Sequence, residues 1–386
     1  MTKLRLVSAL LFTAAFSMAS CSEASNRKTE TGQSYETEPF SIETKGQFAE
    51  PWALALEPGS GRLFITERGG NIQFFDPSNN RLGSVEQGVP EVDYGGQGGL
   101  GDFAFAPDYE QTGLIYLSWA EAGDRDTRGA VVGRGKLVCE QPDSCAIDKL
   151  TVIWRQTPKV TGRGHYSHRI AFSPDGRYLF ISSGERQKQE PAQDISNNLG
   201  TIVRLLPDGS PAPDNPFADK GGVSAQIWSY GHRNVLGLQF DSAGQLWDLE
   251  HGPAGGDELN LVQKGKNYGW PLVSGGDHYD GKPIPDPSTR PDLQKAAISW
   301  TPVIAPGDFI FYSGKLWRDW EGEALIANLK TKSISRISVQ DPDNAKELAR
   351  YSFDNRLRDI IETKDGSLWV IEDGEDGRLL HLTPAK

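Results

Sequence analysis

One short pattern recurs along this chain: a turn containing glycine, then an apolar strand. It reads Gly-Ser-Gly-Arg-Leu-Phe-Ile-Thr-Glu at 59–67 and Pro-Asp-Gly-Arg-Tyr-Leu-Phe-Ile-Ser at 174–182. Further copies stand at 112–118, 243–248, 322–327 and 365–372. Their spacing is near or above the roughly 40–50 residues of a four-stranded propeller blade. The wider gaps imply long loops. Before several copies lies a second apolar run ending in Pro or Asp, as at 101–108, 169–175 and 237–241. Two such strands joined by an Asp-Gly-type turn make a hairpin. The six copies predict an all-β chain folded as a six-bladed β-propeller with four-stranded antiparallel blades. A large β-sandwich is the alternative, but it needs no repeat of blade length. Composition agrees with a turn-rich β chain: 43 Gly and 24 Pro in 386 residues, with 10% aromatics. A formal net charge of −12 argues against nucleic acid and anionic membrane surfaces as partners.

The first 20 residues read as a lipoprotein-type signal peptide. Lys3 and Arg5 precede a short apolar run at 6–16, and Met18-Ala19-Ser20-Cys21 resembles a lipobox. The apolar run is too short to be a good membrane span. On this reading Cys21 is lipidated, and Ser22 after it favours the outer membrane, on the periplasmic side. Ordinary signal cleavage nearby, with Cys21 incidental, is the plainer reading. Residues 21–39 are polar and charged and read as a tether. Residues 40–386 are taken as one domain. Cys139 and Cys145 flank Glu-Gln-Pro-Asp-Ser and, in an exported chain, are expected to form a small-loop disulfide.

The stretch richest in chemistry is 227–270. It holds Arg233, Asn234, Glu250, His251, Asp257, Glu258 and Tyr268 among several glycines. Glycine lets backbone carbonyls approach a ligand closely, and hard cations take oxygen donors. Arg and Asn suit a planar anion. A tight-turned loop with a solvated acidic rim fits the stretch equally well. Elsewhere, His165 and His168 lie just before an apolar strand, where an imidazole can act as a general base. Glu185 follows the next strand and could orient such an imidazole. Gln97 sits in a glycine-rich loop lacking the Gly-Lys-Ser/Thr ending of a phosphate loop. Lys330, Arg356 and Arg358 are each ordinary surface cations taken singly. Converging over a propeller channel, they would match a small polyanion. Arg356 and Arg358, two apart, share a strand face.

These residues carry a resemblance. Ile-Trp-Ser-Tyr-Gly-His-Arg-Asn (227–234), Glu-His-Gly-Pro-Ala-Gly-Gly-Asp-Glu (250–258) and Lys-Gly-Lys-Asn-Tyr-Gly-Trp-Pro (264–271) resemble the soluble PQQ-dependent glucose/aldose sugar dehydrogenases, most nearly the bacterial periplasmic aldose enzymes. The resemblance runs from about Glu50 to Leu382. It implies a six-bladed propeller, PQQ, calcium, and oxidation of an aldose at its anomeric carbon to a lactone, with electrons passed to an external acceptor. It implies His165 as base with Glu185 as its partner. Arg233 and Asn234 would contact the quinone, and Gln97, Lys330, Arg356 and Arg358 would hold PQQ. The carbonyls of Gly252 and Pro253 would bind the calcium that also meets PQQ. Glu258 and Tyr268 fall where a second, structural calcium sits in the glucose enzymes.

Some positions depart from the family pattern. His168 stands where a small residue is usual and could crowd the sugar. Val235-Leu236-Gly237 replaces Pro-Gln-Gly, and Thr201 replaces a commoner Lys. Trp300 is a candidate to face the substrate. Two other functions share the scaffold: a non-catalytic sugar- or protein-binding propeller, and a calcium-dependent lactonase. The first predicts loss of the His165–Arg233 pair. The second needs a carboxylate-rich cage at the channel.

Overall fold

A computed structural model describes residues 34–385. Cys21 and the expected signal peptide lie outside them. The architecture is all-β. Among the described residues the single α-helical turn is Tyr109–Thr112, and the rest of the helical content is short 3-10 turns.

Each repeat detected in the sequence is the hairpin of an antiparallel sheet. The first strand of each hairpin is an inner strand: Pro51–Leu56, Leu100–Phe105, Ser167–Phe172, Val235–Phe240, Pro306–Phe311 and Leu357–Glu362. Each inner strand packs against the inner strand of the next sheet, and Leu357–Glu362 returns to Pro51–Leu56, so the set closes on itself. The turns behave as their sequences predict. In Ser173-Pro-Asp-Gly, Gly176 takes φ +70° and Asp175 accepts the Arg177 N–H at 3.1 Å. Positive φ is what glycine tolerates without a Cβ penalty.

The ladders of all six inner strands are interrupted near their starts, at Pro51/Ala53, Leu100/Phe103, Ser167/Ile170, Val235/Gly237, Pro306/Asp308 and Leu357/Asp359. A bulge bends a strand and re-aims side chains. The same irregularity repeated six times gathers one end of every inner strand toward a common point.

The sheets do not all stop at four strands. Ser144–Arg155 meets Arg81–Gln87 in parallel through Ser144, Cys145 and Ala146, merging two four-stranded units into one eight-stranded sheet. The Cys139–Cys145 disulfide is formed and ties the hairpin that carries this junction. The last sheet has five strands. Phe40–Phe48 pairs with Gly377–Pro384, joining the chain's two ends, and Ser34–Thr37 adds outside it. That outermost strand falls within the stretch expected to be tether. Cores form between neighbouring sheets. Phe64 stacks on Phe74 and Phe103 between the two four-stranded units of the eight-stranded sheet, and Phe40 meets Trp317, Trp320 and Tyr351 between two sheets.

Candidate active site

The site lies where the inner strands start. His165 and Glu185 flank one hairpin, Ser167–Phe172 with Leu179–Ser183. The ladder brings Ser167 opposite Ser183, so the flanking residues meet. His165 Nδ1 and Glu185 Oε1 are hydrogen-bonded, which leaves Nε2 as the available ring nitrogen. Glu185 Oε2 also accepts the Gln189 N–H at 2.6 Å, which fixes the carboxylate. Burial, helped by Arg233, holds the imidazole below its usual pKa against the pull of Glu185. Burial alone would raise Glu185, but the bond to His165 carries it below the usual value. The pair is therefore a neutral imidazole oriented by an ionised carboxylate.

The backbone here is strained. His165, Ser167 and His168, and opposite them Arg186, Gln187 and Gln189, all take φ between 50° and 64°. Non-glycine residues held in this region cluster at functional sites.

Partners arrive from other sheets. The Gln97 side-chain carbonyl accepts the His165 N–H at 2.7 Å. Glu185 N–H donates to the Arg233 carbonyl at 3.0 Å, and Ser167 Oγ donates to Asn234 Oδ1 at 3.3 Å. Arg233 Nη1 donates to the His251 carbonyl at 3.0 Å, and its Nη2 lies 3.3 Å from the Tyr279 hydroxyl. Arg233 Nε is buried without a partner. Asp373 bridges Arg356 at 2.7 Å and Arg358 at 2.6 Å. Beside these residues lies a cavity of about 260 Å³ whose wall includes Gln97, Asn234, Arg68, Arg356 and Arg358. That is near the small end of sites for drug-sized ligands, roughly 300–1,000 Å³. Guanidiniums around it suit a planar polyanion.

A second cavity adjoins, of about 20 Å³, lined by Arg233, Glu250, Gly252, Pro253, Glu258 and Tyr268 among others. This is the scale of one water or ion. It gathers all four residues expected around calcium. A Cβ on Gly252 would stand 2.1 Å from the Gly255 carbonyl oxygen, so only glycine fits. Burial and the neighbouring Glu250 push Glu258 up to about 8, and burial pushes Asp257 up to about 6. Crowded carboxyls of this kind fit a hard cation, which would favour their ionised form.

Two expectations, for Trp300 and His168, need correction, and Lys330 stands apart from the cavity wall. Lys330 is exposed, and it is its neighbour Leu329 that lines the cavity. The backbone N–H groups of Leu329 and Lys330 are bound by Ala305 and Ile304, which ends the strand there. Trp300 does not face the cavity: it packs with Trp247 and Leu249 in a core, and its indole N–H donates to Glu347 at 2.8 Å. His168 is no rival base. It stacks on Trp52 at 5.0 Å with 8° between planes, and its Nδ1 lies 2.7 Å from Ser118 Oγ. Burial, with Arg169 and Arg186, pushes it down to about 3, so it stays neutral. With Leu236 it forms part of the cavity wall. Thr201 is a buried strand residue bonded to the Asn198 carbonyl at 2.9 Å. Arg68, Trp52 and Asp373 were missed by the sequence reading. Each stands in an ordinary strand or turn context with no local signal.

An imidazole–carboxylate base beside a cation-walled cavity and an ion-sized pocket, on a closed all-β ring, defines a class: sugar oxidoreductases similar in fold to the PQQ-dependent dehydrogenase propellers. The chain belongs to the Glucose / Sorbosone dehydrogenase family, whose description it matches over residues 48–381. It is 38% identical over 339 residues to the aldose sugar dehydrogenase YliI of Escherichia coli K12, covering 86% of this chain and 90% of that protein. It is 29% identical to quinoprotein glucose dehydrogenase B of Acinetobacter calcoaceticus, covering 84% and 83% of the two chains. The PQQ-bound aldose sugar dehydrogenase of Streptomyces coelicolor superposes with a TM-score of 0.72 at 27% identity, covering 90% of this chain and 98% of that one. These relatives are oxidoreductases, and so is this protein.

Proposed function

We propose that this protein is a six-bladed propeller that oxidises an aldose at its anomeric carbon to the lactone, using PQQ and calcium and passing the electrons to an external acceptor. The observation that carries this reading is the His165–Glu185 pair, in which the His165 backbone N–H is held by Gln97, a residue of the cavity walled by Arg68, Arg356 and Arg358. The closed set of six inner strands supports the blade count.

PQQ, with calcium as a Lewis acid, would supply the two-electron acceptor for the hydride leaving C1. The chain's own residues do the rest. His165 Nε2 takes the proton of the anomeric hydroxyl as the C1–O bond becomes a carbonyl. Glu185 holds Nδ1–H, fixing the tautomer and stabilising the imidazolium that forms. Arg233 and Asn234 would offer donors to the quinone. Arg356 and Arg358, already oriented by Asp373, would with Gln97 hold the cofactor's carboxylates. The carbonyls of Gly252 and Pro253 would hold the calcium that meets PQQ, and Glu258 and Tyr268 would hold a second, structural calcium. Leader features at residues 1–21 support export and a lipid anchor at Cys21, on the periplasmic side of the outer membrane.

The test is reconstitution. Purified cofactor-free protein is given PQQ and calcium, and aldose-dependent reduction of a dye is followed. Reduction with at least one hexose, pentose or disaccharide is expected, and none with PQQ or calcium omitted. Failure across all three sugar classes would defeat the reading.

A further inference from the structure

Arg186 follows the carboxylate partner of His165, and its surroundings are unusual. It is fully buried. Its donors go to three backbone carbonyls: Nε to Gly164 at 2.9 Å, Nη1 to Arg128 at 2.7 Å and Nη2 to Gly162 at 2.6 Å. Its guanidinium carbon lies 3.7 Å from the centre of the Tyr166 ring. No carboxylate makes an ion pair with it among the described residues. Buried charges are ordinarily paired, and an unpaired one is costly. Such a group persists where the surrounding structure requires it. Here the requirement is local, because Gly162, Gly164 and Tyr166 bracket His165, and the Arg186 N–H donates to the His165 carbonyl at 3.2 Å.

We propose that Arg186 is a positioning residue for the base: its bonds to the Gly162 and Gly164 carbonyls and its contact with the Tyr166 ring, braced by the third bond to the Arg128 carbonyl, set where the His165 imidazole stands relative to Glu185. This rests on His165 being the base, as argued above. The planar fork matters here. An ammonium could keep the charge but could not reach three carbonyls in fixed directions. The charge has its own effect. The charged or titratable groups acting on His165 are Glu185, which favours its cationic form, and Arg233 and Arg186, which oppose it. His251 is pushed down to about 3 by burial and stays neutral.

Two variants separate fork from charge. In Arg186→Lys the charge stays and the fork is lost. In Arg186→Gln both are lost. The first readout is the His165 imidazole titration by NMR in cofactor-free protein. In Arg186→Gln it should move to higher pH, and in Arg186→Lys it should stay nearer the wild type. The second is steady-state kinetics after reconstitution. Both variants should lose roughly 10- to 100-fold in kcat, the scale expected of a misplaced catalytic group, with sugar KM changed less. The third needs no variant: the Arg186 Nε–H of the wild-type protein should exchange with solvent far more slowly than a free guanidinium.

Bulk-rate exchange of that proton overturns the proposal. So does a pair of variants with lowered stability but wild-type titration and kcat, which would mean a merely structural arginine. If neither variant folds, the exchange measurement decides. A shifted His165 titration in a protein that oxidises no sugar would leave the positioning role standing and sink the dehydrogenase reading instead.

Discussion

Arg169 Nη1 lies 3.0 Å from Asp359 Oδ2, although the two residues are 190 apart in sequence. Asp102 and Asp308 approach the same nitrogen at 3.3 and 3.2 Å. The guanidinium also donates to the Leu236 carbonyl at 2.7 Å and lies 4.2 Å over Trp52. One side chain thus touches all five other inner strands. Burial raises Asp102 and, further, Asp308, where Asp359 and Asp102 add to the effect against Arg169. Removing the cation leaves these carboxyls unpaired. Arg169→Met should cost about 3–5 kcal/mol, the range for breaking a buried pair on one side. Urea unfolding checks this, and a loss under about 1 kcal/mol would show that the axial cluster is not holding the ring.

His165→Ala should leave PQQ bound, because Arg356, Arg358 and Arg233 are untouched, while kcat falls by roughly 10²- to 10⁴-fold. Cofactor absorbance gives the first quantity and dye reduction the second. Retained turnover would mean that another group takes the proton.

His168 touches the cavity but stays neutral above about pH 3. His168→Ala should therefore leave the pH profile of kcat unchanged. It should destabilise the protein by about 1–3 kcal/mol through loss of the Trp52 stack, and it should alter KM for bulky sugars. A displaced pH profile would contradict the assignment of His168 to the wall.

Metal-free protein should respond to pH through Glu258. Its folded pKa, raised from the ordinary carboxylate range to about 8 by burial and the neighbouring Glu250, means the folded state binds the extra proton. Stability from this group is present below the unfolded value and is lost as pH rises through about 8. The melting temperature of metal-free protein should fall over that window, and calcium should reverse the fall. Calcium should bind more tightly as pH rises over the same window, with proton release. Calorimetry in two buffers of different ionisation enthalpy reads the protons directly. Zero proton release would place the ion away from Glu258.

The sequence by itself determined the elements. Glycine turns and apolar runs set the hairpins, because those are local constraints on φ and on burial. It also determined the His165–Glu185 meeting, since both flank one hairpin; Arg356 and Arg358 are instead brought together by Asp373, because Arg356 precedes the strand and the ladder is interrupted between Leu357 and Asp359. The disulfide was legible from its short loop. Only the tertiary structure decided the rest. Nothing periodic announces that Arg68 and Asp373 share a cavity, or that Arg169 joins six strands, because such contacts arise when the ring closes. The same closure sends Trp300 into a core and leaves Lys330 exposed. It also packs His168 against Trp52, where burial removes the charge that its sequence position allowed. Local chain chemistry chooses the strands; the convergence of six strand starts, far apart in sequence, chooses which side chains meet.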